Sequence, residues 1–262
     1  MSGASTGGQP RGHPGVVVVG DVAMDVVALP HGPIAYGTDT PAEVATRPAG
    51  AGANVAVALA AAGVEVVSIA RVGDDAPGRA LRAHVEAAGV RCVWAVDRDR
   101  PTGMVVVLVD EDGERTMLPG RGANAALRAD DVVAALDVLG AWGGSWHVHL
   151  SGYVLLDAGS RPAGLAALAA AHRRGWTTSV DPQAAALVAR EGAPAFLDWV
   201  RGADLLLPNA GEFTALGGEE AILGAVAAVA VTDGPRGARW VTRDGIHPIR
   251  YAVPAEPLEA TG

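Results

Sequence analysis

Three features of the sequence predict an α/β fold with helices on both faces of a parallel sheet. The run Val16–Val19 is unbroken and β-branched and stops at Gly20-Asp21, as a strand buried on both faces does. Short apolar runs then alternate with Ala-rich helical stretches over most of the chain. At 262 residues, 50% hydrophobic and 19% charged, the chain can bury a large core and is too apolar for a disordered one.

The elements follow in order. Residues Met1–Gly15 are rich in Gly, Ser and Pro without an apolar stretch, so a frayed tail is expected there rather than a signal peptide. One domain is expected over 16–262. After the first strand, Gly52–Ala62 is helical and is stopped by Gly63. Val64–Val72 forms the next strand, and Pro77–Ala88 a helix closed by Gly89. Later strands are expected at Trp146–Leu150, Trp176–Asp181, Asp204–Leu207 and Ala227–Thr232, with a helix at Arg161–Arg174. The stretch Gly217–Val231 has room for only one short helix, although a parallel crossover needs about ten or more residues.

Two segments break the alternation. Ala28–Pro48 and Cys92–Leu118 are rich in turn residues and short strands, and Met104–Val109 with Glu114–Leu118 make a hairpin about Asp110-Glu111-Asp112-Gly113. A small β lid built from about 28–48 and 92–118 accommodates both.

Composition excludes several functions. A net charge of -9 argues against nucleic acid as a partner. All 20 basic residues are Arg, which removes Walker A loops, protein-kinase sites and pyridoxal Schiff bases, each of which needs a Lys. Phosphate must then meet Arg, metal or backbone N–H groups. Cys92 is the single cysteine and is expected in the core. No apolar run approaches the ~18 residues of a membrane span, so a cytoplasmic protein without membrane contact is expected.

The sharpest local feature is Ala49-Gly50-Ala51-Gly52-Ala53-Asn54 at a helix start. Two glycines there let a ligand approach the backbone, or simply form a tight turn. A dinucleotide fingerprint fails, because Val55 stands where a third Gly is needed and the preceding Glu43–Pro48 is polar. His147 and His149 alternate along a strand but lack a carboxylate or thiol to complete a metal site, so both are expected to be structural. Asp74-Asp75 is expected to form a turn.

The wider spacing resembles the ribokinase-like (PfkB) carbohydrate kinase family. Gly50, Gly52, Asn54, Ala56, Gly63 and Gly73 fall in its first signature, followed in order by Arg71-Val72-Gly73-Asp74-Asp75, Pro101-Thr102-Gly103, Gly122-Ala123-Asn124, Pro208-Asn209-Ala210-Gly211-Glu212 and Val231-Thr232-Asp233-Gly234. The resemblance implies a ribokinase-like three-layer α/β/α sheet with a β lid. It makes Asp25 the carboxylate that holds sugar hydroxyls, with Gly50 and Asn54 at the same turn. It puts Asn209, Glu212, Thr232 and Gly234 at the ATP site, with Glu212 toward Mg²⁺; lid arginines such as Arg115 or Arg121 could help with phosphate, and the spacing singles out neither. At i and i+3, Asn209 and Glu212 share one helical face, and Asn209 also suits a cap.

The family's second signature opens an anion hole and ends in the Asp that acts as general base. The chain reads Leu258-Glu259-Ala260-Thr261-Gly262, so Thr261 and Gly262 begin that signature. No catalytic residue is then expected within the chain; the general-base Asp falls just beyond Gly262, and the chain is expected to lack the C-terminal part of the domain. The resemblance implies ATP-dependent phosphorylation of a sugar hydroxyl, with two rivals: a nucleoside kinase, and a non-catalytic truncated kinase that binds sugar or nucleotide only. A small-molecule sugar or nucleoside is the expected partner, and a homodimer through the lid is also implied.

Overall fold

A computed structural model describes residues 15–141 and 143–249. Residues 1–14 of the tail expected over 1–15, and Glu259, Thr261 and Gly262, lie outside the described residues. Gly15 is no part of that tail: it opens the first strand, β1 (Gly15–Val19), where any side chain would collide with Trp146.

Among the described residues the main sheet has nine strands. Third from one edge is β1, flanked by β4 (Val66–Gly73) and β8 (Trp146–Ser151), all parallel. Beyond β4 lies β5 (Arg91–Asp97) at one edge. Beyond β8 come β9 (Thr177–Asp181), the two-residue β10 (Leu205–Leu206) and β11 (Ala228–Thr232), still parallel. Two antiparallel strands, β12 (Ala238–Thr242) and β13 (Gly245–Ile249), finish the other edge.

The period-two alternation of a strand divides the core. Val17, Val19, Val67 and Ile69 face one layer, packed by α3 (Ala129–Ala141) and α5 (Arg161–Arg173). Val18, Val66, Ala70 and Val72 face the other, covered by α1 (Ala51–Ala61) and α2 (Ala76–Ala87). α2 turns Gly78, Leu81 and Val85 inward at helical spacing and is capped by Asp75, whose side chain accepts from Gly78 N at 2.9 Å. Deleting the fully buried Leu81 side chain costs about 2–5 kcal/mol.

A second sheet, order β3-β2-β6-β7, is built from β2 (Ala23–Pro30), β3 (Ala42–Ala49), β6 (Gly103–Val109) and β7 (Arg115–Gly120). Its hairpin β6–β7 is the one expected from sequence. Two boundaries differ. Residues 92–97, expected in the lid, form the main-sheet edge β5, because Trp94 is buried there and its Nε1 donates to Ser68 Oγ at 3.0 Å. The lid also begins earlier than 28, since β2 starts at Ala23 and carries Asp25 with it. The narrow stretch after residue 217 is resolved by two helices sharing one crossover: α8 (Ala210–Ala215) and α9 (Gly218–Leu223) together link β10 to β11.

Candidate active site

The start of α1 is shaped by close backbone contact. Gly50 has φ of 104°, and a Cβ there would lie 2.6 Å from Asp21 O. A Cβ on Gly52 would lie 2.7 Å from the carbonyl carbon of Gly20. Gly52 N and Ala53 N both donate to Asp21 O, at 2.9 and 3.4 Å. These glycines therefore bring strand β1 against the helix, and the first helix N–H groups are already satisfied. Gly52 opens no approach for a ligand.

The three residues expected at the sugar nevertheless converge. Asp25 from β2, Gly50 and Asn54 from the start of α1 line one cavity of about 360 Å³ at the carboxyl end of β1, roofed by Val105, Met117 and Pro119 of the lid. Burial pushes the Asp25 carboxyl up from the usual range, and Arg115 opposes the shift.

Four further residues line the cavity: Arg121, one of the two lid arginines expected near phosphate, and Asp21, Tyr153 and Gln183, which escaped the sequence reading. Arg121 grips Asp21 with one edge of its guanidinium, Nε to Oδ2 at 2.8 Å and Nη2 to Oδ1 at 2.7 Å. Its Nη1 meets Asp157 Oδ2 at 2.9 Å and donates to Ser160 Oγ at 3.1 Å. Such a forked pair is set by geometry that Lys does not offer. Gln183 is the one described non-glycine residue with positive φ, 73°, and its N donates to Asp181 Oδ1. A signal existed for Arg121, which directly precedes the Gly122-Ala123-Asn124 block, and none marked its partners.

Two other blocks of the sequence pattern hold the fold together, and Asn124 of one of them also lines the cavity. Asn124 is 3% exposed; its Oδ1 accepts from Val22 N and its Nδ2 donates to Val22 O, fixing the root of the lid. Asp75 accepts from Thr102 N at 2.7 Å and from Thr102 Oγ1 at 2.5 Å, so the turn at Asp74-Asp75 ties the two blocks together.

The residues expected at the nucleotide lie at the carboxyl ends of β10 and β11. Asn209 and Glu212 form a reciprocal cap on α8: Asn209 Oδ1 accepts from Glu212 N, and Glu212 Oε2 accepts from Asn209 N, both at 2.9 Å. Glu212 Oε1 also accepts from Asn209 Nδ2 at 2.8 Å. Asn209 bridges Thr232 across the strands, and Thr232 N donates to Pro208 O. Gly234 begins the next turn with φ of 53°. A nearby depression is walled by their neighbours, including Ala210, Phe213, Asp233 and Arg239, rather than by these four residues.

Among the described residues no group of three or more His, Cys, Asp and Glu is arranged for a metal ion. Glu212 is 2% exposed, and burial together with the Asp181 charge pushes its carboxyl up, against the bonds from Asn209. Burial raises Asp181 as well. A buried acid and a partly buried one, both raised this way, fit a cation that takes one or two carboxylates and fills its shell with water and phosphate, as Mg²⁺ does. His147 and His149 are structural, as expected: His147 Nε2 and His149 Nδ1 both bond Ser179 Oγ, at 2.7 and 2.9 Å.

Comparison with known proteins bears on the family and the fold. Residues 14–262 match the model of the pfkB family carbohydrate kinases. An ATP-dependent ribose-1-phosphate kinase from Halopiger xanaduensis is 33% identical over 174 residues, covering 64% of this chain and 51% of that protein. A ribokinase from Bacillus subtilis is 32% identical over 121 residues, covering 46% of this chain and 40% of its own. The chain thus spans about half or less of these curated relatives. The crystal structure of an adenosine kinase from Sinorhizobium meliloti superposes with a TM-score of 0.78 at 20% identity, over 93% of this chain and 81% of that one.

Proposed function

The chain belongs to the pfkB family of carbohydrate kinases, and from that membership and the cavity we propose that it binds a sugar under its lid for ATP-dependent phosphorylation of a hydroxyl. The observation that carries this reading is the meeting of Asp25 from a lid strand with Gly50 and Asn54 from the start of a helix, in one cavity beneath the lid. A carboxylate accepts hydrogen bonds from two neighbouring hydroxyls, and an Asn side chain offers both donor and acceptor. Val105, Met117 and Pro119 supply apolar cover that keeps water from the acceptor. The apolar share of those walls favours a second reading, a nucleoside whose ribose takes the same polar groups.

The ATP phosphates would lie toward Asn209, Glu212, Thr232 and Gly234. Mg²⁺ would be held by Glu212 and Asp181, directly or through water; when bound it offsets phosphate charge, a heavier duty in a chain without Lys. Thr261 and Gly262, assigned to the anion hole by resemblance, lie outside the described residues. We place the protein in the cytoplasm, where ATP is available. Val44, Met104, Val106 and Leu118 are exposed on one face of the lid by register, which supports a homodimer through that face.

Calorimetry with a panel of sugars and nucleosides tests binding, and coupled ADP release tests transfer. Asp25→Ala is expected to weaken the bound polyol by about 1–3 kcal/mol. Unchanged affinity would remove Asp25 from the site. Binding with transfer at background would mark the chain as a binder only.

A further inference from the structure

The charge lining the cavity narrows the substrate class further, on the premise that this cavity is the polyol site. Its lining holds two carboxylates, Asp21 and Asp25, against one guanidinium, Arg121. A guanidinium has five N–H donors. Four of the five are engaged: two on Asp21, and two from Nη1 toward Asp157 and Ser160. Ser160 is itself fully buried and donates to Val154 O at 2.9 Å, so its oxygen is turned to receive Arg121. The Arg121 and Asp21 side chains are only 17% and 13% exposed, so bulk water screens this pairing little.

We propose that the cavity selects an uncharged polyol and rejects its phosphate esters, and that Asp21 sets this choice by occupying Arg121. A phosphate group in the enclosed part would leave water to face two carboxylates and a cation with no fork to offer. The remaining cations near the lid are Arg47, which pairs in register with Asp25, and Arg115, which acts on Asp25 through space. Both are exposed at the rim, where water and salt weaken their pull on an anion. Among the relatives above, the inference sets this chain apart from the one named for ribose 1-phosphate.

The test is calorimetry on the full chain in about 0.1 M salt, with ribose, fructose and adenosine against ribose 1-phosphate and fructose 6-phosphate. At least one uncharged compound is expected to bind about tenfold or more tighter than either ester. Asp21→Asn, which frees the fork, is expected to shrink that ratio several-fold by improving the esters, and Asp157→Asn to do so less. An ester that binds the unaltered protein as tightly as the best uncharged compound overturns the proposal, and its loss in Arg47→Ala or Arg115→Ala would locate the phosphate at the rim. An undiminished ratio in a folded Asp21→Asn protein removes Asp21 from the role. If Asp21→Asn does not fold, Asp157→Asn and the unaltered protein still decide. If no uncharged compound and no ester binds, the reading of the cavity as a polyol site falls, and this proposal with it.

Discussion

The two ends of the candidate site are built in opposite ways. The polyol end depends on partners far apart in sequence, with Arg121 and Asp21 separated by 100 residues and Asn124 and Val22 by 102. The nucleotide end is local: Asn209 and Glu212 cap their own helix three residues apart. Long-range polar contacts place a side chain only when the whole fold is intact, whereas a capping box forms with one helical turn. Damage should therefore spread from the first region and stay confined in the second.

The strongest way to break that contrast is Arg121→Ala. It leaves Asp21 and Asp157 without their cation in a mostly buried setting, and about 3 kcal/mol of stability should be lost in urea unfolding. A loss under 1 kcal/mol would mean the pair is no more than a surface bridge.

Acid probes the strand between the two ends. His149 is held down to about 4 by burial and then by the neighbouring His147 charge. Between about 6.5 and 4 the unfolded chain takes up a proton that the folded one refuses, so stability is full above that window and falls as pH drops through it. By linkage the loss approaches about 3 kcal/mol at its lower end. His149→Gln should flatten the slope of the urea midpoint against pH; an unchanged slope assigns the acid sensitivity to other groups.

The smallest effect sharpens the local side. Asn209→Ala should cost about 1 kcal/mol through the lost cap. Polyol affinity at the distant cavity should not move. A change in that affinity would show the two ends to be coupled and the contrast to be false.

This difference also explains what could be read from the sequence. Asp25, Gly50 and Asn54 were legible because an ordered set of motifs fixed their register. The pairing of Arg121 with Asp21 was not, since two ordinary charged residues 100 positions apart carry no local pattern. Gly52 was seen as special, but its use differed: the missing side chain admits Gly20 rather than a ligand. The strand at 91–97 was missed because its neighbours are turn-rich, while the evidence for it is tertiary, in the burial of Trp94 against Ser68. The capping box was readable from Asn209 and Glu212 alone.

The reach of Arg121 has a consequence for synthesis. Its partners are Asp21 near the start and Asp157 with Ser160 far downstream. A chain emerging from the ribosome carries Asp25 and Asn54 early, yet the wall that joins them closes only after Ser160 has cleared the exit tunnel. Until then Arg121 lacks its last anchors, and the growing chain must hold an apolar lid in solvent.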